Sequence, residues 1–367
     1  MPMKKIRASK LTSLAALVAI ALGSTAYATQ YTVTPIGTLG GTTTIVNGIN
    51  STGELVGWSL NNAGNTLAFL YNNGSMQSLG SLQTGGYSDA TAINSAGQIV
   101  GYGSDNGYTT PFLFNNGSMQ ALPTFYGPSG QATGINSSGE IVGYTYDPNI
   151  SSNASWVNSN GTSIDSRSGI VSTGINSSGA YVGIDSSNLA FLETGTSYQL
   201  LYMGQYSGAM GINSLGQVVG YGGPSSLSYQ PFLWNPSGLS QYLGTLGGAN
   251  GSANAINSTG QVVGWADNSA GSQNAFLYSN GVMQNLNNLL GSASSEYTLT
   301  NAVGINKNGQ IAVNGTITAT GQSMGFLLTP MTSASSTGVP APATLGLLAA
   351  AMAGLLILRR KQARSFG

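Results

Sequence analysis

Ile256-Asn257-Ser258-Thr259-Gly260-Gln261-Val262-Val263-Gly264 decides how this chain folds, because the same nine-residue phrase keeps returning along it. It stands as INSTGELVG at 49–57, INSAGQIVG at 93–101, INSSGEIVG at 135–143, INSSGAYVG at 175–183 and INSLGQVVG at 212–220. A degenerate copy, INKNGQIAV, occupies 305–313, so seven copies recur with a period of about 43 residues. A second phrase keeps step with the first. It reads Ala68-Phe69-Leu70-Tyr71, Pro111-Phe112-Leu113-Phe114, Ala190-Phe191-Leu192, Pro231-Phe232-Leu233-Trp234, Ala275-Phe276-Leu277-Tyr278 and Gly325-Phe326-Leu327-Leu328, with Ala154-Ser155-Trp156-Val157 as its weakest form.

Each unit reads as four short strands. In the second unit, Ser88 to Ile93 is strand a, and Asn94-Ser95-Ala96-Gly97 is a tight turn whose glycine supplies a positive φ. Gln98 to Tyr102 is strand b, and a longer loop leads to strand c, Pro111 to Phe114. Asn115-Asn116-Gly117 is a hairpin signal, and Met119 to Leu122 is strand d. A four-stranded repeat of 40–45 residues is the period of a propeller blade. The seventh copy stops after strand c, at Leu328. Tyr31 to Leu39 precedes the first strand a, and Gly37-Thr38-Leu39-Gly40-Gly41 repeats Gly244-Thr245-Leu246-Gly247-Gly248 from the end of a blade. The expected fold is therefore all-β: a seven-bladed β-propeller over 29–331 whose N-terminal strand completes the last blade, leaving no open edge.

The two ends read as addresses. Residues 1–28 have a basic start, an apolar run from Leu14 to Leu22 and a small-residue cleavage site at Ala26-Tyr27-Ala28, the pattern of a signal peptide removed by signal peptidase. A Ser/Thr-rich linker covers 332–338. The segment 339–367 opens with Val339-Pro340-Ala341-Pro342-Ala343, continues as an apolar run from Leu345 to Leu358 and ends in Arg359-Arg360-Lys361. That order predicts a transmembrane helix with its cations on the cytoplasmic side and the propeller outside.

Composition narrows the chemistry. The chain has no His and no Cys, which removes imidazole bases, thiolates, disulfides and zinc sites of the usual kinds. The zero net charge hides a segregation. Eight of ten basic residues lie in the end segments, and the middle holds all ten acidic residues with only Arg167 and Lys307. A basic surface for a phosphate backbone is missing, so nucleic acid is excluded as a partner.

Aromatics recur just after strand b, at Trp58, Tyr102, Tyr144, Tyr221 and Trp265, with Ile184 and Asn314 breaking the series. Such a ring can stack on sugars, but a periodic aromatic in a blade packed on both faces is expected to be inter-blade core. Strand alternation puts the a–b and c–d turns on one face and the b–c and d–a connections on the other. The second face, with its variable loops, is where binding is expected. Asp105, Asp147, Asp185 and Asp267 lie in four b–c loops there. Converging, they would hold calcium through oxygen ligands or act as a carboxylate pair on a glycan; otherwise they are loop-forming residues in solvent.

Two resemblances follow from these residues. Val339, Pro340 and Pro342, the apolar run and Arg359, Arg360 and Lys361 resemble the PEP-CTERM sorting signal of Gram-negative bacteria, with Ala341 where that family carries glutamate. The resemblance implies processing by an exosortase and a link to exopolysaccharide. The Ala-Phe-Leu-Tyr, Leu-Gly-Thr-Leu-Gly-Gly and Ala-Ile-Asn-Ser-x-Gly-Gln-Val-Val-Gly phrases resemble HAF-type extracellular repeats, which implies an extracellular setting and no defined activity. The combined expectation is an exported, monomeric, non-enzymatic surface or matrix protein without a required cofactor, whose propeller binds exopolysaccharide or another surface component. The alternatives are a carboxylate-based glycan hydrolase or lyase, and a calcium-stabilised adhesin.

Overall fold

The computed structural model describes residues 29–331 except 125–126, 148–151, 160–161, 196 and 239. Every described blade is a four-stranded antiparallel sheet, and there are seven. The innermost strands a are Gly40–Ile49, Ser88–Ile93, Gly130–Ile135, Ile170–Ile175, Tyr206–Ile212, Gly247–Ile256 and Tyr297–Ile305. In blade seven, strands Tyr297–Ile305, Ile311–Ile317 and Gln322–Pro330 are completed by Tyr31–Pro35, which pairs from Tyr31 opposite Pro330 to Pro35 opposite Phe326. The ring closes as the repeat count requires.

The recurring glycines and phenylalanines explain one another. Phe69, Phe112, Trp156, Phe191, Phe232 and Phe276 are fully buried, and each pairs with a strand-b glycine, as Phe69 does with Gly57 and Phe276 with Gly264. A Cβ on Gly57 would stand 2.0 Å from the Ile45 carbonyl oxygen, so the position takes only glycine. Blade seven has Val313 opposite Phe326 instead. There strand a carries a second register shift, between Leu299 and Asn301, and the close approach moves to Gly315, whose added Cβ would lie 2.2 Å from Thr298 O. The degenerate seventh phrase thus records a shifted bulge.

The asparagine of the nonapeptide holds the blades to one another. In each a–b turn its Oδ1 accepts from the backbone N–H groups two and four residues on, as Asn257 does from Thr259 and Gln261, and the turn glycine sits at φ between 75° and 89°. Its Nδ2 donates to the backbone carbonyl of the asparagine in the next blade. The series runs Asn50 to Asn94, Asn136, Asn176, Asn213, Asn257 and Asn306, and Asn306 returns to Asn50, all at 3.0–3.2 Å. The second Nδ2 hydrogen goes to the side chain four residues on, from Asn50 to Glu54 and likewise to Gln98, Glu140, Gln217, Gln261 and Gln310; only Ala180 leaves it out.

A second set of bridges lies deeper. Each strand a is bulged three residues before its asparagine, and the bulged side chain reaches the next blade: Asn47 to Ala90 O, Thr91 to Ala132 O, Thr133 to Ser172 O, Thr173 to Ala209 O and Asn254 to Ala302 O. Met210 and Val303 interrupt this set. At the closing seam Asn314 compensates, donating to Val46 O and accepting from Val46 N at 2.8 Å each. These strands enclose an axial cavity of about 250 Å³.

Two expectations about elements change. Strands b and c of blade two run to Asp105 and from Tyr108, joined by Asn106 and Gly107 at φ 49° and 85°, a tight hairpin rather than a longer loop. Tyr31 to Leu39 is not one strand: pairing ends at Pro35, and Gly40 already belongs to blade one. Among the described residues no helix is long and apolar enough to cross a membrane, and the span expected within 339–367 lies outside them.

Replacing Asn257 by Ala removes partners from the part-buried backbone amides of Thr259 and Gln261 and from the buried contact to the Asn306 carbonyl, so the unfolding free energy measured by urea titration should fall by about 2–4 kcal/mol. Ser258→Ala, one residue away, should stay within about 0.5 kcal/mol. Deleting residues 29–36 exposes strand Gln322–Pro330 as an edge and should yield aggregated or oligomeric protein by size-exclusion chromatography.

Candidate functional site

The loop face carries the chemistry, and it is built from the start of each strand a and the end of each strand b. The aromatics expected just after strand b lie within it, at Trp58, Tyr102, Tyr144, Tyr221 and Trp265, and are half-buried rather than core. Their hydroxyls turn onto the innermost strand. Tyr102 Oη donates to Asp89 Oδ2 at 3.0 Å, Tyr144 Oη to Gln131 Oε1 at 3.1 Å, and the Tyr221 ring lies over Gly208, where an added Cβ would be 2.7 Å from its hydroxyl. The expectation of an inter-blade core is corrected accordingly: these side chains cover the inner strands with one side left to solvent.

Around blades five and six they extend into a continuous aromatic surface. Tyr206, Tyr221 and Tyr229 stand with ring centroids 5.2–5.9 Å apart, and Trp265 of the next blade meets Tyr229 edge-on at 6.2 Å. Burial first, then Tyr206, raises the hydroxyl pKa of both Tyr221 and Tyr229; Tyr206 acts on Tyr221 through a hydrogen bond and its charge, Tyr229 adds to the rise at Tyr221, and Asp267 adds to the rise at Tyr229. Asn250 links the two blades: its Oδ1 accepts from Tyr229 N, and its own N–H donates to Asp267 Oδ2, both at 3.2 Å.

Next to this surface, Gly222, Gly223, Ser228, Tyr229 and Tyr242 line a cavity of about 150 Å³. Tyr242 Oη is held by Met203 O at 3.0 Å. Tyr202, between buried Leu201 and Met203, is 75% exposed at φ 41°, a left-handed conformation that a bulky side chain adopts only where its surroundings enforce it.

The four loop aspartates separate into different roles. Asp185 Oδ1 accepts from Ser187 N and Leu189 N, which is what Asn61 and Asn268 do at the same bend of blades one and six. It is a turn former. Asp105 accepts from the neighbouring Asn106 side chain beside the hairpin. Asp267 joins the aromatic surface. Asp147 ends strand Ile141–Asp147, and its side chain lies outside the described residues. Among the described residues no three carboxylates gather as a metal site would require.

Asp89 is the carboxylate that the sequence reading missed. It receives Asn47 Nδ2 at 2.7 Å as well as Tyr102, yet burial outweighs both bonds and raises its pKa to about 6. A signal existed: the same position in the other blades holds Ile45, Gln131, Val171, Gly208, Ser252 and Asn301, and none of these ionises. The sorting residues Val339, Pro340, Pro342, Arg359, Arg360 and Lys361 and the cleavage residues Ala26 and Ala28 lie outside the described residues.

No protein-family model and no curated protein matches the sequence. Solved structures with a similar fold include a puromycin-hydrolysing peptidase of Mycobacterium tuberculosis (11% identity, TM-score 0.45), for which the match covers 78% of this chain and 49% of the peptidase. They also include a gluconolactonase of Xanthomonas campestris (11%, TM-score 0.42, 83% and 96%) and the Aleuria aurantia lectin in complex with α-methyl-L-fucoside (10%, TM-score 0.34, 86% and 99%). This chain thus spans about half the length of the peptidase. The expectation of a chain without enzymatic activity is corrected by these neighbours: the propeller fold is compatible with catalysis as well as with binding.

What Asp89 contributes is read from its own surroundings. Its folded-state pKa lies above the ordinary carboxylate value, so the folded protein binds more protons, and stability falls as pH rises from about 4 to about 6. The ionised form costs roughly 3 kcal/mol at neutral pH. Asn is an acceptable shape there, because Asn301 takes the same bond from Asn254 Nδ2, at 2.7 Å. Asp89→Asn should therefore raise the unfolding free energy measured by urea titration at pH 7.5 by about 1–3 kcal/mol, with the gain vanishing near pH 4.

Proposed function

We propose that this protein is exported, sorted through its C-terminal segment, and binds an extracellular glycan on the loop face of its propeller. The observation that carries the reading is the joined surface of Tyr206, Tyr221, Tyr229 and Trp265, half-exposed and flanked by Asn250, Asp267 and the outward Tyr202. Flat aromatic faces receive the C–H-rich side of a pyranose, while amide and carboxylate oxygens bond its hydroxyls. Exposed tyrosines concentrate on this face, at Tyr87, Tyr108, Tyr146, Tyr202 and Tyr242.

The ends of the propeller support the same orientation. Tyr31 pairs with Pro330, and both belong to a groove with Lys307, Asn308 and Gly309 of an a–b turn. The described chain therefore enters and leaves the propeller on the turn face, opposite the loops. Signal peptidase and an exosortase are the processing partners that the end sequences imply, and exopolysaccharide is the glycan they point to. A second reading, catalysis on that glycan, is favoured by Asp89, whose raised pKa suits a general acid.

Titration of the purified protein with the host's exopolysaccharide should give binding that Trp265→Ala and Tyr229→Ala each weaken at least about tenfold, the loss expected of an aromatic anchor. Unchanged binding in both variants removes the loop face as the site. New reducing ends during the titration, lost in Asp89→Asn, establish catalysis. Intact-mass analysis from the native host should show loss of the segment after about Val339, abolished when Pro340 and Pro342 are replaced; retention of the full tail in both proteins removes the sorting step.

A further inference from the structure

We propose that the loop face selects saccharides carrying free amino groups, which stack on the Tyr206–Tyr221–Tyr229–Trp265 surface of blades five and six and pair one ammonium group with the adjacent Asp267, while another, further along the same saccharide chain, reaches Asp89 in blade two. This deepens the glycan reading and rests on it. The aromatic geometry comes first. Centroids 5.2–5.9 Å apart mean that the three tyrosines touch, so no cation fits between them, and they present an outer face rather than a cage. That face is electron-rich, and a cationic sugar gains on it where an anionic one loses.

The charges around it point the same way. On the loop face every charged side chain described is acidic: Asp89, Asp105, Asp185, Asp267 and Glu296. Lys307 stands on the opposite face, and Arg167 is on the outermost strand of blade three, its side chain outside the described residues. A uronate, sulfate or phosphate group would meet only carboxylates among the described charged side chains of this face and would be repelled by them. An ammonium group would find Asp267 beside Tyr229, and Asp89, each of whose oxygens accepts a single bond and keeps a lone pair free. Asp89 is faced by Tyr102, with Tyr87 and Tyr144 beyond it, and by Asn47; none of these supplies a counter-charge. An arriving ammonium would supply it, replacing water that the buried carboxylate lacks.

The test compares two ligands of one backbone, the β-1,4 hexamers of glucosamine and of N-acetylglucosamine, by calorimetric titration of the mature protein. At pH 7 the glucosamine hexamer should bind at least tenfold more tightly. The preference should shrink severalfold at pH 5, where the Asp89 carboxylate is largely protonated and the amines remain charged, and in Asp267→Asn and Asp89→Asn at pH 7. Trp265→Ala should weaken both hexamers. Equal affinity, or preference for the acetylated hexamer, with Trp265→Ala still damaging, overturns amine selection and leaves the glycan reading standing. Binding of neither hexamer also overturns it, and the exopolysaccharide titration then decides the glycan reading alone.

Discussion

Seven amide groups pointing the same way around an axis hold this protein together. Each asparagine of the a–b turns has two acceptor lone pairs and two donor hydrogens, and the fold uses nearly all of them: two for its own turn, one for the side chain behind it and one for the next blade. Because every asparagine is 4–6% exposed, a lost partner is not replaced by water. Turn formation and blade association are therefore one event, which accounts for an Asn-Ser-x-Gly phrase so resistant to change beside strands that vary freely. The blade count follows as well. The hydrogen bond from Asn306 to Asn50 spans the whole chain and matches the six local ones in length, so seven units close without distortion.

The fold was legible in the sequence because its constraints are repeated and local. Turn glycines, hairpin signals and the buried strand-c aromatic each recur in register, and Trp156 substitutes for Phe in the one copy whose phrase is weak. The misreadings sit where a constraint is not periodic. The two-residue b–c connection at Asn106-Gly107 recurs among the described blades only at Ser226-Leu227, with different residues, so a loop was expected. Val313 looked like decay until the second bulge of blade seven showed that the tight approach had moved to Gly315.

The candidate site was less legible, for a related reason. Aspartates in loops attract attention as ligands, but Asp185 does the work of Asn61 and Asn268, and sequence alone does not distinguish an Asx turn from a binding carboxylate. The informative carboxylate was inside a strand. Asp89 ranks with Ile45 and Val171 by repeat position, and its significance depends on Tyr102 folding back over it and on Asn47 arriving from the preceding blade. Half-buried aromatics pose the same problem: their period says that they pack, and only the three-dimensional arrangement says that one side stays open.

The pairing of Tyr31–Pro35 with Gln322–Pro330 has a mechanical side. The strand that leads out of the propeller at Pro330 is not at the edge of its sheet, since Ile311–Ile317 flanks it on one side and the N-terminal strand on the other. Tension on the chain beyond Pro330 acts along this strand, so the cross-strand bonds on both sides are loaded together in shear instead of opening one at a time like a zipper. Unfolding under such a load is governed by the height of the barrier rather than by equilibrium stability. A propeller closed in this manner holds its exit strand as a central strand is held, so that a pull at Pro330 has to break two ladders at once.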